Sequence, residues 1–235
     1  MQAGSGSNEE GQALAEERSP LMAPRLMPLG DSAILIRFAD RLTLEANAAA
    51  IAFSRNIRAA DLSGVIEIVP NLVSVLVRYD PQRIGYNALC GEIRIVGASY
   101  TGEESWATHR VPIFYGGEHG PDLAAVAESL GLDMPKFIQL HSAASLTVLS
   151  TGFAPGFVYC GLHSEALSMP RREAVRSFVP PGSVLFAARQ TAIAATSIPT
   201  GWSVIGRTKF INFDPGTMPP TRIRAGDKVT FEVAS

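Results

Sequence analysis

The stretch Thr151 to Thr208, TGFAPGFVYCGLHSEALSMPRREAVRSFVPPGSVLFAARQTAIAATSIPTGWSVIGRT, constrains the fold of this chain more than any other. Glycine and proline interrupt it at short intervals, which suits tight turns between short strands. In and around it LTVLSTG, SVLFA, TAIAATS, SVIGRT and DKVTFEV follow one another closely with turn residues between them, the spacing of an all-β barrel or sandwich. The second half of the chain is therefore expected to be mostly β. The polar side chains set among these turns are few: His163, Arg171, Arg172, Arg189, Gln190 and Arg207. A few polar groups in a mostly apolar, aromatic wall is how ligand sites are commonly built.

The first half has a different rhythm. Order is expected from about Arg25, where RLMPLGDSAILIRFAD reads as strand, turn and strand. Thr43 precedes LEANAAAIAFSRNIRAA, whose Leu44, Ala48, Ile51, Ala52 and Ile57 recur at helical spacing, so a helix is expected over Leu44 to Ala60. VIEIVPNLVSVLVRYDP predicts a hairpin broken at Pro70 and Asn71. Tyr86 to Glu92 permits a short helix, and IRIVGAS a further strand. The order β-α-β-β-α-β is that of a ferredoxin-like split βαβ unit. The acidic turn TGEESWATH makes a linker, followed by the strand HRVPIFYGG and two short helices within residues 121 to 141. The expected division is a flexible leader over 1–24, a ferredoxin-like α+β domain over 25–105 and a β-barrel domain over 106–235.

Composition narrows the function classes. With 235 residues, 46% hydrophobic and 18% charged, the chain can bury a sizeable core. A formal net charge of −2 gives no electrostatic reason to expect a nucleic-acid partner. No apolar run approaches the roughly 20 residues that span a bilayer, and the polar, acidic N-terminus lacks a signal-peptide core, so no membrane partner is expected. Two cysteines outside any C-x-x-C pair fit a reducing, cytoplasmic setting. No phosphate loop, H-E-x-x-H or G-x-S-x-G motif occurs, so no nucleotide or other cofactor site is expected on this chain alone.

Several residues carry two readings. Cys160 and His163 have C-x-x-H spacing, which suits a thiolate–imidazole pair or half a metal site, or else a small apolar residue in a tight turn; with the other histidines scattered, no metal site is expected. His141, at the end of a predicted helix, is either a cation on the helix dipole or a general acid/base facing the pocket. Arg171 and Arg207 interrupt apolar stretches, as a guanidinium gripping a carboxylate would, or as a snorkelling surface arginine would. Gln190 and Thr191 offer an amide and a hydroxyl suited to an amide or ureido group. Phe153, Phe157, Tyr159 and Trp202 read as core and pocket wall.

PLGDSAILIRF, EIVPNLVSVLVRYDP, VPIFYGGEHGPDLAAVA, LHSAA, GFAPGFVYCGL, MPRR, VPPGSVLFAARQT, GWSVIGRT, FDP and AGDKVTFEV together resemble the family of KipI and allophanate hydrolase subunit 1, which includes the B component of 5-oxoprolinase and half of the urea carboxylase carboxyltransferase domain (subdomains C and D). The resemblance covers residues about 25 to 233. It implies a ferredoxin-like domain followed by a cyclophilin-like β-barrel. It also implies a homologous second subunit, of the type of allophanate hydrolase subunit 2 or the C component of 5-oxoprolinase, a third subunit in the oxoprolinase, and a pocket at the shared interface. On this resemblance His141, Arg171, Gln190 and Arg207 are the catalytic candidates, and Phe153, Pro155, Gly156, Tyr159, Thr191 and Trp202 the substrate-binding ones. The implied activity is ATP-dependent hydrolysis of a small cyclic amide or ureido compound, with the ATP used by the complex. The alternatives are a KipI-like inhibitor of a histidine kinase, and a carboxyltransferase half working with biotin. The chain departs from the family pattern at GFVYCGL, QTAIAAT and TGW.

Overall fold

The computed structural model describes residues 23–97 and 106–234. Residues 1–22 of the expected leader and most of the predicted linker therefore lie outside the described residues.

The first unit is a four-stranded antiparallel sheet backed by two helices. Strands β1 (Arg25–Pro28), β2 (Ala33–Arg37), β3 (Val65–Asn71) and β4 (Ser74–Tyr79) lie in the order β1-β2-β4-β3. Helix α1 (Leu44–Ala60) begins at Thr43, whose hydroxyl accepts from the Ala46 amide at 3.1 Å, and ends at Asp61 in the left-handed region. Its apolar face, with Ala46, Ala50, Phe53 and Ile57, packs with Ile34, Ile36, Val75 and Val77 of the sheet. The hairpin turns at Leu72 and Val73, two residues beyond the expected break, because Pro70 and Asn71 still pair with Val75 and Ser74.

One element differs in kind. The expected strand IRIVGAS does not form; its described residues continue helix α2 (Tyr86–Gly97), whose Leu89, Cys90 and Ile93 are buried against the sheet. The edge next to β2 is filled instead by β1. The expected order β-α-β-β-α-β thus becomes β-β-α-β-β-α, with the outer strand supplied from the N-terminal side.

The second unit is a closed seven-stranded barrel. Strands β5 (Thr108–Tyr115), β6 (Ser145–Thr151), β7 (Val158–Gly161), β9 (Ser183–Ala187), β10 (Gln190–Ile193), β12 (Ser203–Arg207) and β13 (Lys228–Val233) run in the order β10-β7-β6-β13-β5-β12-β9, closed by the β9–β10 pairing. Strand β13 is parallel to β5 and antiparallel to β6. A small sheet of β8 (Arg176–Val179) and β11 (Ile198–Thr200) stands outside the barrel, with Val179 and Ile198 in a cluster around Trp202. Helices α3 (Leu123–Ser129) and α4 (Met134–Ala143) add Leu123, Val126 and Phe137 to the barrel core. Among the described residues no helix is long and apolar enough to cross a membrane.

The contacts that join the units include two from helix α1. The side-chain amide of Asn47 on α1 donates to the carbonyls of Leu72 at 2.7 Å and Leu149 at 2.8 Å, one in each unit. The guanidinium of Arg55 lies 3.9 Å from the ring centroid of Trp106.

Candidate functional site

Where the sheet meets the barrel there is a cleft of about 570 Å³. Leu29, Leu35, Val69, Pro70, Asn71, Leu72, Ser74 and Leu76 line it from the sheet; Ser150, Thr151, Gly152, Phe153, Tyr159, Arg171, Gln190 and Trp202 line it from the barrel. Five residues singled out from sequence thus come together: Phe153, Tyr159, Arg171, Gln190 and Trp202. The contribution of β3 and β4 had no signal in the sequence, since it depends on how the sheet docks.

Local structure explains how each barrel residue arrives there. Gln190 opens β10 directly after the two-residue turn Ala188–Arg189, where both residues have positive φ, 50° and 61°. Such turns match strand twist but favour Gly or Asn, so this one is held against strain. The Ala188 amide donates to the Met169 carbonyl at 2.7 Å, Arg189 Nε donates to the His163 carbonyl at 2.8 Å, and Arg189 pairs with Glu165. Among the described residues the Gln190 side-chain amide has no protein partner, so its donors and acceptor are available to the cleft.

Arg171 is exposed and has no carboxylate partner among the described residues; its guanidinium sits 5.6 Å from the Trp202 ring centroid. Tyr159 packs edge-on to Trp202 at 5.9 Å and against Phe157 at 4.7 Å. Burial raises the Tyr159 pKa and the nearby Arg171 charge opposes it, so the phenol is protonated at neutral pH and acts as a hydrogen-bond donor or acceptor. Phe153 is 70% exposed with φ of 76°, an uncommon conformation for a bulky residue, and leans on Phe157 at 5.6 Å. The cleft thus presents one unpaired guanidinium, one unpaired amide and one phenol on an aromatic wall. This set suits a small ligand bearing a carboxylate and an amide.

The other sequence candidates lie elsewhere. His141 is fully buried in the barrel core, stacked on Phe231 at 5.0 Å and on His163 at 4.7 Å. Burial, and then His163, push its pKa well below the ordinary histidine value, so it is a neutral imidazole and not a cation on the helix dipole. Its Nδ1 lies 2.7 Å from Tyr115 Oη and its Nε2 2.8 Å from Thr191 Oγ1; His163 Nε2 reaches the same hydroxyl at 2.8 Å. Thr191 is therefore spent inside the barrel rather than on the cleft. Its hydroxyl has one proton, and His163 Nδ1 is buried without a partner. The arrangement that leaves neither an imidazole N–H nor the Thr191 proton unpaired has His163 Nε2–H donating to Thr191, Thr191 donating to His141 Nε2, and His141 Nδ1–H donating to Tyr115.

Gly156 is buried where an added Cβ would stand 2.6 Å from Phe213 Cβ, and its carbonyl accepts from Asn212 Nδ2 at 3.3 Å, so it serves packing; exposed Pro155 is not among the cleft residues. Arg207 lines a separate depression with Phe114, His119 and Lys209. Cys160 is fully buried with burial pushing its thiol up, which removes the thiolate reading. No group of three or more metal-ligating side chains forms among the described residues. Sequence reasoning passed over Asp122, which is buried and accepts from Arg172 at 2.7 Å, Arg176 at 2.5 Å and the Val204 amide at 2.8 Å. It ties the segment after Arg171 to the barrel.

Residues 24–223 match the family described as carboxyltransferase domain, subdomain C and D. The chain belongs to this family. It is 35% identical over 215 residues to the B component of 5-oxoprolinase from Bacillus subtilis (strain 168), covering 86% of this chain and 90% of that one. It is 34% identical over 205 residues to the B component of 5-oxoprolinase from Escherichia coli O157:H7, covering 86% and 93%. Among solved structures it is similar to TTHA0988, with a TM-score of 0.77 and 30% identity over 86% of this chain, which spans only 40% of that one. It also superposes on the Kluyveromyces lactis urea carboxylase with a TM-score of 0.71 at 15% identity, covering 94% of this chain and 24% of that one, a likeness of fold.

Proposed function

We propose that this chain is a cytoplasmic subunit of an ATP-dependent amide-hydrolysing complex of the 5-oxoprolinase or allophanate hydrolase type. The observation that carries this reading is the meeting of unpaired Arg171, unpaired Gln190 and protonated Tyr159 in one cleft, in a chain about one third identical to proteins named as the B component of 5-oxoprolinase. The substrate is a small cyclic amide or ureido compound. Arg171 holds its carboxylate by paired hydrogen bonds while Gln190 reads the amide edge. Tyr159 donates to an oxygen on which negative charge develops, and Trp202 and Phe153 give the ring of the substrate an apolar wall. His141 does not touch the substrate; through Thr191 it fixes β10, and so the position of Gln190. The chain works with a homologous second subunit and a third that completes ATP use; it holds no cofactor by itself.

The test is co-expression with the second- and third-subunit genes and an assay of ATP-dependent 5-oxoproline cleavage. Replacing Arg171 with Ala removes a charge-assisted contact and is expected to lower kcat/KM by at least about tenfold. Activity equal to wild type in Arg171→Ala and in Gln190→Ala would refute the assignment of the cleft. Absence of any ATP-dependent amide cleavage in the assembled complex would refute the function.

A further inference from the structure

Across the β5–β12 ladder Arg207 stands directly opposite Phe114, and directly paired residues share one face of a sheet. The His119 ring lies 5.5 Å from the Phe114 ring, and Lys209 Nζ is 5.5 Å from the same centroid. Two basic side chains thus flank one aromatic ring, and a third, Arg207, lines the same depression. Pro181, Thr208 and Ile211 complete a depression of about 590 Å³ around them. The wall near Thr208 is fixed by its amide, which donates to the Gly182 carbonyl at 2.8 Å.

The charges in this depression are not balanced. Among the described residues no carboxylate pairs with Arg207 or Lys209, and Glu118, 3.8 Å from His119, has its side chain 90% exposed. None of these groups lines the cleft around Arg171 and Gln190, so the two places are separate.

We propose that this depression is a second binding site, for a phosphate monoester carried on a flat or apolar body. A phosphate monoester carries about −1.5 to −2 charge at neutral pH, which matches two permanent cations with a histidine beside them better than a single carboxylate does. The Arg207 guanidinium grips two phosphate oxygens in its fork, and Lys209, 5.5 Å from the Phe114 centroid, supplies a point charge. Phe114, Pro181 and Ile211 give the body of the ligand an apolar bed. The site stands independently of the proposed amide-hydrolysing function.

Isothermal titration of the full chain with phenyl phosphate, inorganic phosphate and benzoate tests it. Phenyl phosphate is expected to bind saturably and more tightly than the other two, and to weaken as salt is raised. Arg207→Gln is expected to weaken it by about tenfold, Lys209→Gln by a smaller factor, and Arg171→Ala not at all. Both lost cations are exposed, so these variants keep the fold. Phe114→Leu is expected to erase the preference for phenyl phosphate over inorganic phosphate. The site is refuted if phenyl phosphate does not bind saturably, if Arg207→Gln binds it like wild type, or if Arg171→Ala is the variant that loses it. Benzoate binding as tightly as phenyl phosphate overturns the phosphate assignment.

Discussion

Asn47, buried on helix α1, donates its side-chain amide to the carbonyl of Leu149, a residue of the barrel, at 2.8 Å, while the same nitrogen serves the Leu72 carbonyl of the hairpin turn at 2.7 Å. Leu72 lines the cleft, and Leu149 immediately precedes Ser150, which also lines it. Replacing Asn47 with Leu leaves two acceptors without their donor in a buried seam, a loss of about 1–3 kcal/mol. The expected result is a lower denaturation midpoint together with faster amide exchange in β3, β4 and β6. Unchanged exchange there would mean that the units are held by other contacts.

Thr191 is the second point of leverage. Thr191→Val keeps the volume but removes the hydroxyl shared by His141 and His163, leaving one or both Nε2 atoms unpaired in the barrel core. A loss of roughly 2–4 kcal/mol is expected from denaturant titration. Thr191→Ser, which retains the hydroxyl, is expected to recover most of it.

The same histidines make stability depend on pH in one direction. Burial, and then the Arg189 charge, bring the His163 pKa down to about 4, and burial holds His141 well below its ordinary value. Between about 4 and the ordinary histidine value near 6.5 the unfolded chain binds protons that the folded chain refuses, so stability is full above that window and falls as pH drops through it. For His163 alone the loss is roughly 3 kcal/mol. Denaturant midpoints measured from pH 7.5 to 4.5 check this, and His163→Gln is expected to flatten the slope. A midpoint that rises on acidification would contradict the buried neutral pair.

Phe153 in the cleft and Ala188 in the turn before Gln190 hold strained backbone, with φ of 76° and 50°. Ala188→Gly relieves the strain without removing a contact, and is expected to leave stability unchanged or raise it by up to about 1 kcal/mol. Phe153→Gly is expected to cost cleft binding while costing little stability, since the ring is mostly exposed. Thermal unfolding and ligand titration of the two variants separate these effects.

The elements that could be read from sequence were those with a local cause. Helix α1 has a capping threonine, a helical stripe and a left-handed stop, and its bounds follow from them. Helix α2 runs past its expected end because IRIV, though β-branched and short, is carried along by burial of Leu89, Cys90 and Ile93 on one face. Strands β7, β8 and β11, three or four residues each, carry too little pattern to separate from their turns. In the site, Arg171, Gln190, Tyr159 and Trp202 stood out as polar or amphipathic groups among glycines. The distance of Arg207 from them, and the burial of His141 and Thr191, are products of barrel closure, which places side chains that alternate along one strand on opposite faces. Gln190 and Thr191 illustrate this, one facing the cleft and the other the core.

Strand β13 lies between β5 and β6, parallel to one and antiparallel to the other. During synthesis on the ribosome, β5 and β6 therefore emerge long before the strand that joins them, and each waits with an open hydrogen-bonding edge. The earlier sheet and its helices can assemble while the barrel is still being made. The barrel itself is committed only in the last moments of translation, so premature termination between residues 207 and 228 would release a finished first unit attached to an open, adhesive sheet.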